Sequence, residues 1–281
     1  MQITFDLHFH ANTYSLLPML KKHRLKQYRY FLEQINLDYL ASTEHVYKNP
    51  LDTFKYLREC FHDLPTEILP GVEWISNEGV DIIYIFDSED SLKYGLKRLK
   101  SFKKSVWEFK NIAEATNAVT IIPHPFGPGK TSLGRKMGVD NYLTLSRHAD
   151  LVEIQNGSVI PYFNLLLSNH KMQKLPESKL DEILFTYSLP SELRPDNVGW
   201  AIGSDAHLPA RQNVFGQVNV EEGRSFDWFD FLKNQACLQS LYYEEITKLQ
   251  IQKFMRATFH DYLFKKYKFL TKKMRYNASL R

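Results

Sequence analysis

The sequence predicts an α/β protein built as a single β/α barrel, with a helical extension at the C-terminal end. Three observations carry this reading. Short apolar or alternating runs recur along the chain, and longer segments with 3.6-residue periodicity lie between several of them. A chain of 281 residues also suits one barrel, which typically takes roughly 250 residues.

Strands are expected at residues 3–9, 39–43, 67–72, 80–86, 118–123, 151–154 and 199–202. The clearest helical patterns cover residues 16–35 and 90–115. Strand, helix, strand in repetition implies parallel pairing through crossover helices. About seven such units point to a closed or nearly closed barrel. Residues 123–138 hold three prolines and four glycines beside a strand end, the composition of an active-site wall. The barrel domain is expected over residues 1–245. Residues 246–281 lack proline and glycine and read as a basic helical extension.

Composition excludes several classes. With 43% hydrophobic residues the chain can bury a full core. Its two cysteines, Cys60 and Cys237, make neither a disulfide framework nor a thiolate zinc site. The N-terminal run Met-Gln-Ile-Thr-Phe-Asp-Leu-His lacks the basic-then-apolar order of a signal peptide. No segment reaches the roughly 20 apolar residues of a membrane span. A soluble, cytoplasmic protein is therefore expected. Charge is uneven: residues 246–281 carry ten Lys plus Arg against Asp261, a net +9, which leaves −5 on the rest of a chain whose total is +4.

The informative feature is where histidines and acids fall. The first strand ends in Asp6-Leu7-His8-Phe9-His10. Residues two apart on a strand share a face, so His8 and His10 can reach one ion, with Asp6 on the same side behind them. The next strand ends run into Thr43-Glu44-His45, Gly71-Val72-Glu73, His124-Pro125, Glu153-Ile154-Gln155-Asn156 and Ser204-Asp205-Ala206-His207. In a β/α barrel those ends converge on one face. A single buried histidine is ordinarily a hydrogen-bonded core residue; five at four strand ends are not easily explained that way. Imidazole and carboxylate without thiolate suit Zn, Mn or Fe. A carboxylate such as Glu73 can bridge two cations about 3.5–4 Å apart.

These motifs, in this order across residues 6–207, resemble the PHP (polymerase and histidinol phosphatase) superfamily. The resemblance implies a distorted (β/α)7 TIM-like barrel with a three-site metal centre that holds two or three divalent ions. It also implies a metal-dependent phosphoesterase that hydrolyses a phosphate mono- or diester by metal-activated hydroxide. Residue by residue, His8, His10, Glu73 and Asp205 resemble one ion's set. Glu73 and His124 resemble part of a second set, with Glu73 bridging, and His45 and His207 resemble ligands of a third. Two positions depart from the family pattern. Asp81 stands where many members have His; it is kept as a ligand, the alternative being a solvated turn residue. The window Asn12-Thr13-Tyr14 lacks the usual acid, so the third site is expected to be weaker or differently filled. Glu44 stands where Asp is commoner, either as a ligand or orienting His45.

Further candidates face the substrate, a phosphorylated small molecule or nucleotide. Lys130 and Arg135 could grip phosphate from the loop after His124; a solvated basic loop is the bland alternative. Asn156 could contact substrate or form an Asn-Gly turn, and Arg211 is a further candidate. Asp205 and His207 are expected at the reacting centre. Ser204 beside them is not expected to form a nucleophilic triad. The basic tail interleaves lysines with aromatics, which suits nucleic acid, an anionic membrane surface, or an amphipathic helix packed on the barrel. Two functional alternatives stand beside the main reading: an exonuclease-like enzyme on oligonucleotides, and a degenerate binding or regulatory module.

Overall fold

The computed structural model describes residues 1–13, 18–127, 131–158, 190–207, 214–221, 223, 225–234 and 240–243. Lys130, Arg211, Tyr14 and the predicted helical extension at 246–281 lie outside them.

Nine strands form one sheet in the order β7-β6-β5-β4-β3-β2-β1-β8-β9. They are β1 Gln2–Phe9, β2 Tyr39–Ser42, β3 Glu67–Ile75, β4 Asp81–Phe86, β5 Ala118–Ile122, β6 Leu151–Asn156, β7 Gly199–Gly203, β8 Val214–Asn219 and β9 Ser240–Tyr243. The sheet curls until the end of β7 meets β1: Phe9 bridges Ala206 in parallel, and the Asp205 and His10 amides donate to the carbonyls of His8 (2.6 Å) and Ala206 (3.2 Å). The first half of β1 pairs instead with β8, antiparallel. The result is a nearly closed, distorted barrel.

The seven expected strands all form, but the all-parallel expectation fails at β4, which is antiparallel to both β3 and β5. The cause is the short link from Ile75 to Asp81, turned by Gly79 at φ +73°. A parallel crossover needs a dozen or more residues. Reversal matters for function, because it brings the start of β4, and so Asp81, to the end of the barrel where its neighbours finish. Strands β8 and β9 were not foreseen.

Helices α1 Pro18–Ile35, α2 Pro50–Cys60, α3 Glu89–Arg98, α4 Phe109–Thr116, α5 Leu133–Met137, α6 Val139–Ser146 and α7 Trp228–Asn234 surround the sheet. Local chemistry sets their ends. Helix α2 opens on Pro50 and carries Arg58 in its last turn, and α3 opens on a Ser88 cap bonded to the Ser91 amide. The continuous helix expected over 90–115 is broken. Lys100 and Phe102 turn back to bond Trp74 and Ile75 of β3, and a Ser105–Glu108 capping box starts the chain afresh. No helix among the described residues is long and apolar enough to cross a membrane.

Two apolar layers result. Phe5, Leu7, Leu69, Ile83, Ile85, Val119, Ile121 and Ala201 fill the barrel, closed at one end by Phe231 and Leu232 of α7. Phe9, Val72, Trp74, Tyr84 and Phe86 pack outward against the helices. The same clamp ties two strand pairs. Asp38 accepts from the Thr4 amide and hydroxyl, and Asp150 accepts from the Thr120 amide and hydroxyl, all at 2.7–2.8 Å.

Candidate metal centre

Above the barrel's apolar filling the inward positions turn polar. Phe5 and Leu7 belong to the interior cluster, yet Phe9 belongs to the outer one. The alternation therefore slips by one between Leu7 and Phe9. A bulge against β2 between Asp6 and Phe9 produces the slip, and so aims His8 and His10 inward. This corrects the expected placement of Asp6 behind the two histidines. Its carboxylate instead clamps the bulge, accepting from the Ser204 hydroxyl (2.6 Å), the Ser204 amide (2.9 Å) and the His8 amide (3.2 Å). Burial pushes this carboxyl up to about 7, against the Ser204 bonds. Ser204 is wholly buried and committed to Asp6, which agrees with the absence of a serine nucleophile. A second irregularity, between Glu153 and Gln155 of β6, lets Asn156 pair with Gly203 and enter the site.

Seven of the eight expected ligands meet here. His8 Nε2 lies 3.0 Å from His10 Nε2, 3.5 Å from Glu73 Oε1 and 3.6 Å from Asp205 Oδ1. His10 Nε2 lies 3.4 Å from Glu73 Oε2 and 3.5 Å from Asp205 Oδ1. His8, His10 and Asp205 form one donor group, with separations close to the edges of about 3.3–3.6 Å that ligand bonds of about 2.0–2.2 Å give a tetrahedral cage. Glu73 reaches further, with His124 Nε2 3.5 Å from Oε1 and His45 Nδ1 2.6 Å from Oε2. His8, Glu73 and His124 form a second donor group; His10, His45 and His207 form a third. Glu73 Oε2 is buried, and the His45 and His10 nitrogens 2.6 and 3.4 Å away make no aligned hydrogen bond to it, a need that a shared cation would satisfy.

Charge prepares the two carboxylates for a cation. Burial raises the Asp205 carboxyl, but His8, His207 and His10 outweigh it and hold Asp205 well below the usual range. Glu73 is likewise held low by His45, His124 and His8 despite its burial. Burial and the neighbouring His207 push His10 down to about 3, so it is a neutral donor. Cations bind ionised carboxylate and neutral imidazole. Despite burial, the surrounding Asp205, Glu153 and Glu73 hold His8 well above the usual imidazole range and push His124 up to about 9, so both would release a proton on binding an ion. His124 at φ 31° and Asp205 at φ 46° sit in the left-handed region, a strain found where function fixes a backbone. The side chains of His8, His10 and Glu73 are 0–2% exposed, whereas His124, His45 and His207 reach 12, 17 and 25%. The cluster therefore opens on that rim.

The remaining candidates divide. Asp81 is buried, and burial together with Glu73 pushes its carboxyl up to about 8. It is thus a near neighbour of the cluster and no solvated turn residue, although it belongs to none of the three donor groups. Asn156 fits both of its readings: its Nδ2 donates to Glu153 (2.9 Å) and Asp205 (3.3 Å), and its Oδ1 accepts from the Ser158 amide (2.9 Å) in the turn through Gly157. Glu44 faces His10 Nδ1 at 3.6 Å and accepts from the Asn12 amide at 2.7 Å, so it supports His10 rather than His45. Arg135 is exposed on α5, and no described hydrogen bond or ion pair joins it to the cluster. Sequence reasoning passed over Glu153. This buried acid accepts from His8 Nδ1 (3.1 Å), the His124 amide (2.6 Å) and Asn156. Its inward parity with Leu151 was the available signal.

No family model matches the sequence, and no curated protein matches it significantly. Solved structures do. PsfC from Pseudomonas syringae PB-5123 is 16% identical with a TM-score of 0.62, over 93% of this chain and 99% of that one. A two-domain protein from Bacteroides vulgatus ATCC 8482, containing a predicted PHP-like metal-dependent phosphoesterase, is 16% identical with a TM-score of 0.52, over 87% of this chain and 66% of that one. The lesion-specific endonuclease PfuEndoQ from Pyrococcus furiosus is 13% identical with a TM-score of 0.52, over 83% of this chain and 56% of that one. The chain thus shares the fold of these structures, among them the protein with the predicted PHP-like phosphoesterase, and it spans about two thirds or less of the last two.

Proposed function

We propose that the chain is a metal-dependent hydrolase of phosphate esters, acting on a mono- or diester. The observation that carries this reading is the convergence of three donor groups, His8–His10–Asp205, His8–Glu73–His124 and His10–His45–His207, which share His8 and His10. His8, His10, Glu73 and Asp205 would hold one divalent ion; His124, with Glu73 and Asp81, a second; His45 and His207 a third. Zn, Mn or Fe suits these donors. Bound there, the ions supply an activated water and neutralise phosphoryl oxygens. The chain's own part is to hold the donors rigid, to keep Glu73 and Asp205 ionised, and to leave the His124–His45–His207 rim open to the ester. Lys130 and Arg135, which follow His124 in the sequence, would grip the phosphate; Asn156 would steady Asp205.

Metal analysis of the purified protein, then a screen of p-nitrophenyl phosphate, bis-p-nitrophenyl phosphate and nucleotides with Mn or Zn, tests this. His8→Ala and Asp205→Ala should each abolish turnover. A protein that retains no metal removes the proposal, and metal without turnover on any ester favours a degenerate binding module. The basic residues of 246–281 support a polymeric diester as a second reading, with the phosphate backbone of nucleic acid as partner and the cytoplasm as location. Neutralising those lysines should weaken oligonucleotide hydrolysis selectively if it holds.

A further inference from the structure

Glu153 accepts three hydrogen bonds, and they are unlike one another. Oε1 receives His8 Nδ1 at 3.1 Å. Oε2 receives the His124 amide at 2.6 Å and the Asn156 side-chain amide at 2.9 Å. The donors on Oε2 cannot exchange roles. One is a backbone N–H, and the Asn156 amide is oriented by its own oxygen, which accepts from the Ser158 amide (2.9 Å) and hydroxyl (2.7 Å). Only the imidazole can choose which nitrogen carries its proton.

We propose that Glu153 is a positioning residue that locks His8 in the Nδ1–H tautomer, leaving the Nε2 lone pair for the cation shared with His10, Glu73 and Asp205. The inference rests on the metal-centre reading above. A carboxylate presents acceptors on both sides, so His8 must donate from Nδ1. Its bare Nε2 then points at the other three donors, 3.0–3.6 Å away. A partner on the far ring nitrogen fixes tautomer and orientation in this way at many metal-binding histidines.

Glu153→Gln separates this role from packing, because glutamine has nearly the same shape. Its amide oxygen must face the two fixed donors, which turns its NH2 group toward His8 Nδ1. His8 then has to accept at Nδ1 and carry its proton on Nε2, where no cation can bind. The expected result is about a 10–100-fold loss of affinity for the ion held through His8, measured by zinc competition titration and elemental analysis. Metal content should fall as far as in His8→Ala. Ring 15N shifts of zinc-loaded wild-type protein should show His8 protonated on Nδ1 and metal-bound through Nε2. Wild-type zinc content in Glu153→Gln would overturn the lock while leaving the phosphoesterase reading intact; absence of zinc from the wild type would overturn both. A Glu153→Gln variant that does not fold passes the decision to the wild-type spectrum. There, a proton on Nε2 of His8 or zinc on Nδ1 overturns the proposal.

Discussion

Replacing Gly203 with alanine probes the seam where the barrel closes and the donors converge. A Cβ built at this position would lie 2.8 Å from both Glu153 Oε1 and the His8 amide nitrogen, and closer still to His8 Cβ. Carbon atoms rest about 3.5–4.0 Å apart, so β7 and β1 must separate by about 1 Å for the methyl group to fit. Neither neighbour yields easily: His8 is clamped through its backbone by Asp205 and through its ring by Glu153. Overpacking of this kind costs about 1–3 kcal/mol, and clamped neighbours place Gly203→Ala near about 3 kcal/mol. At about 2–4 °C per kcal/mol in chains of this size, Tm should fall by about 6–12 °C. The same shift stretches cage edges of about 3.5 Å beyond about 4 Å, outside what bonds of about 2.0–2.2 Å can span. Thermal melts in EDTA give the first number, and elemental analysis after dialysis against zinc gives the second. A variant that melts within about 1 °C of wild type and keeps its metal would refute the close approach of β7 to His8 on which the site is built.

Stripping the metals from wild-type protein should lower Tm, by about 2.7 kcal/mol of lost linkage where free ion had stood at 100 times Kd; an unchanged melt with EDTA would mean that the donors hold nothing. Asp81→His exchanges an oxygen donor for an imidazole and should move metal preference from Mn toward Zn, read as the metal retained from an equimolar mixture. Identical preference would take Asp81 out of the coordination sphere. Asp150→Ala removes two hydrogen bonds to a charged acceptor from β5, costing about 1.5–3 kcal/mol with no loss of metal, because Asp150 stands at the start of β6, away from its site end. Metal loss in that variant would show that the clamp sets the site as well as the register.

The sequence showed most of the strands and most of the donors for one reason. A buried strand ending in His, Asp or Glu violates its own hydrophobic run, and such violations stand out even singly. What stayed hidden was relational. The bulges at Asp6–Phe9 and Glu153–Gln155 depend on how a strand pairs with its neighbour, so strict alternation put Asp6 on the wrong face. The reversal of β4 was legible in the few residues between Ile75 and Asp81, a link too short for a crossover, but it was outweighed by the repeating β/α pattern. Strand β9 lies among residues with no helical or alternating rhythm of their own, and the apolar run of β8 is interrupted by Gly216 and Gln217. Glu153 was missed because the search favoured imidazoles and the strand's last polar residue. A carboxylate that supports a ligand looks, in sequence, like any acid on a strand.

His8 is where these features meet, and its position explains why strained residues occur where they do. Asp205 and His124 each hold a left-handed backbone that costs about 1–3 kcal/mol, and each is pinned through its own amide. Asp205 donates to the His8 carbonyl at 2.6 Å, and His124 donates at 2.6 Å to the same Glu153 that receives the His8 ring. One histidine thus anchors, directly or through one carboxylate, both of the bent strand ends that carry other donors. Loss of the His8 ring should therefore do more than remove one ligand. Without it Glu153 keeps a buried charge with one partner fewer, and the His124 turn loses part of its support. His8→Ala should consequently release metal from the Glu73–His124 pair as well, whereas His207→Ala, on the exposed rim, should release only the ion bound there. Equal losses from the two variants would mean that the donors act independently and that His8 has no organising role.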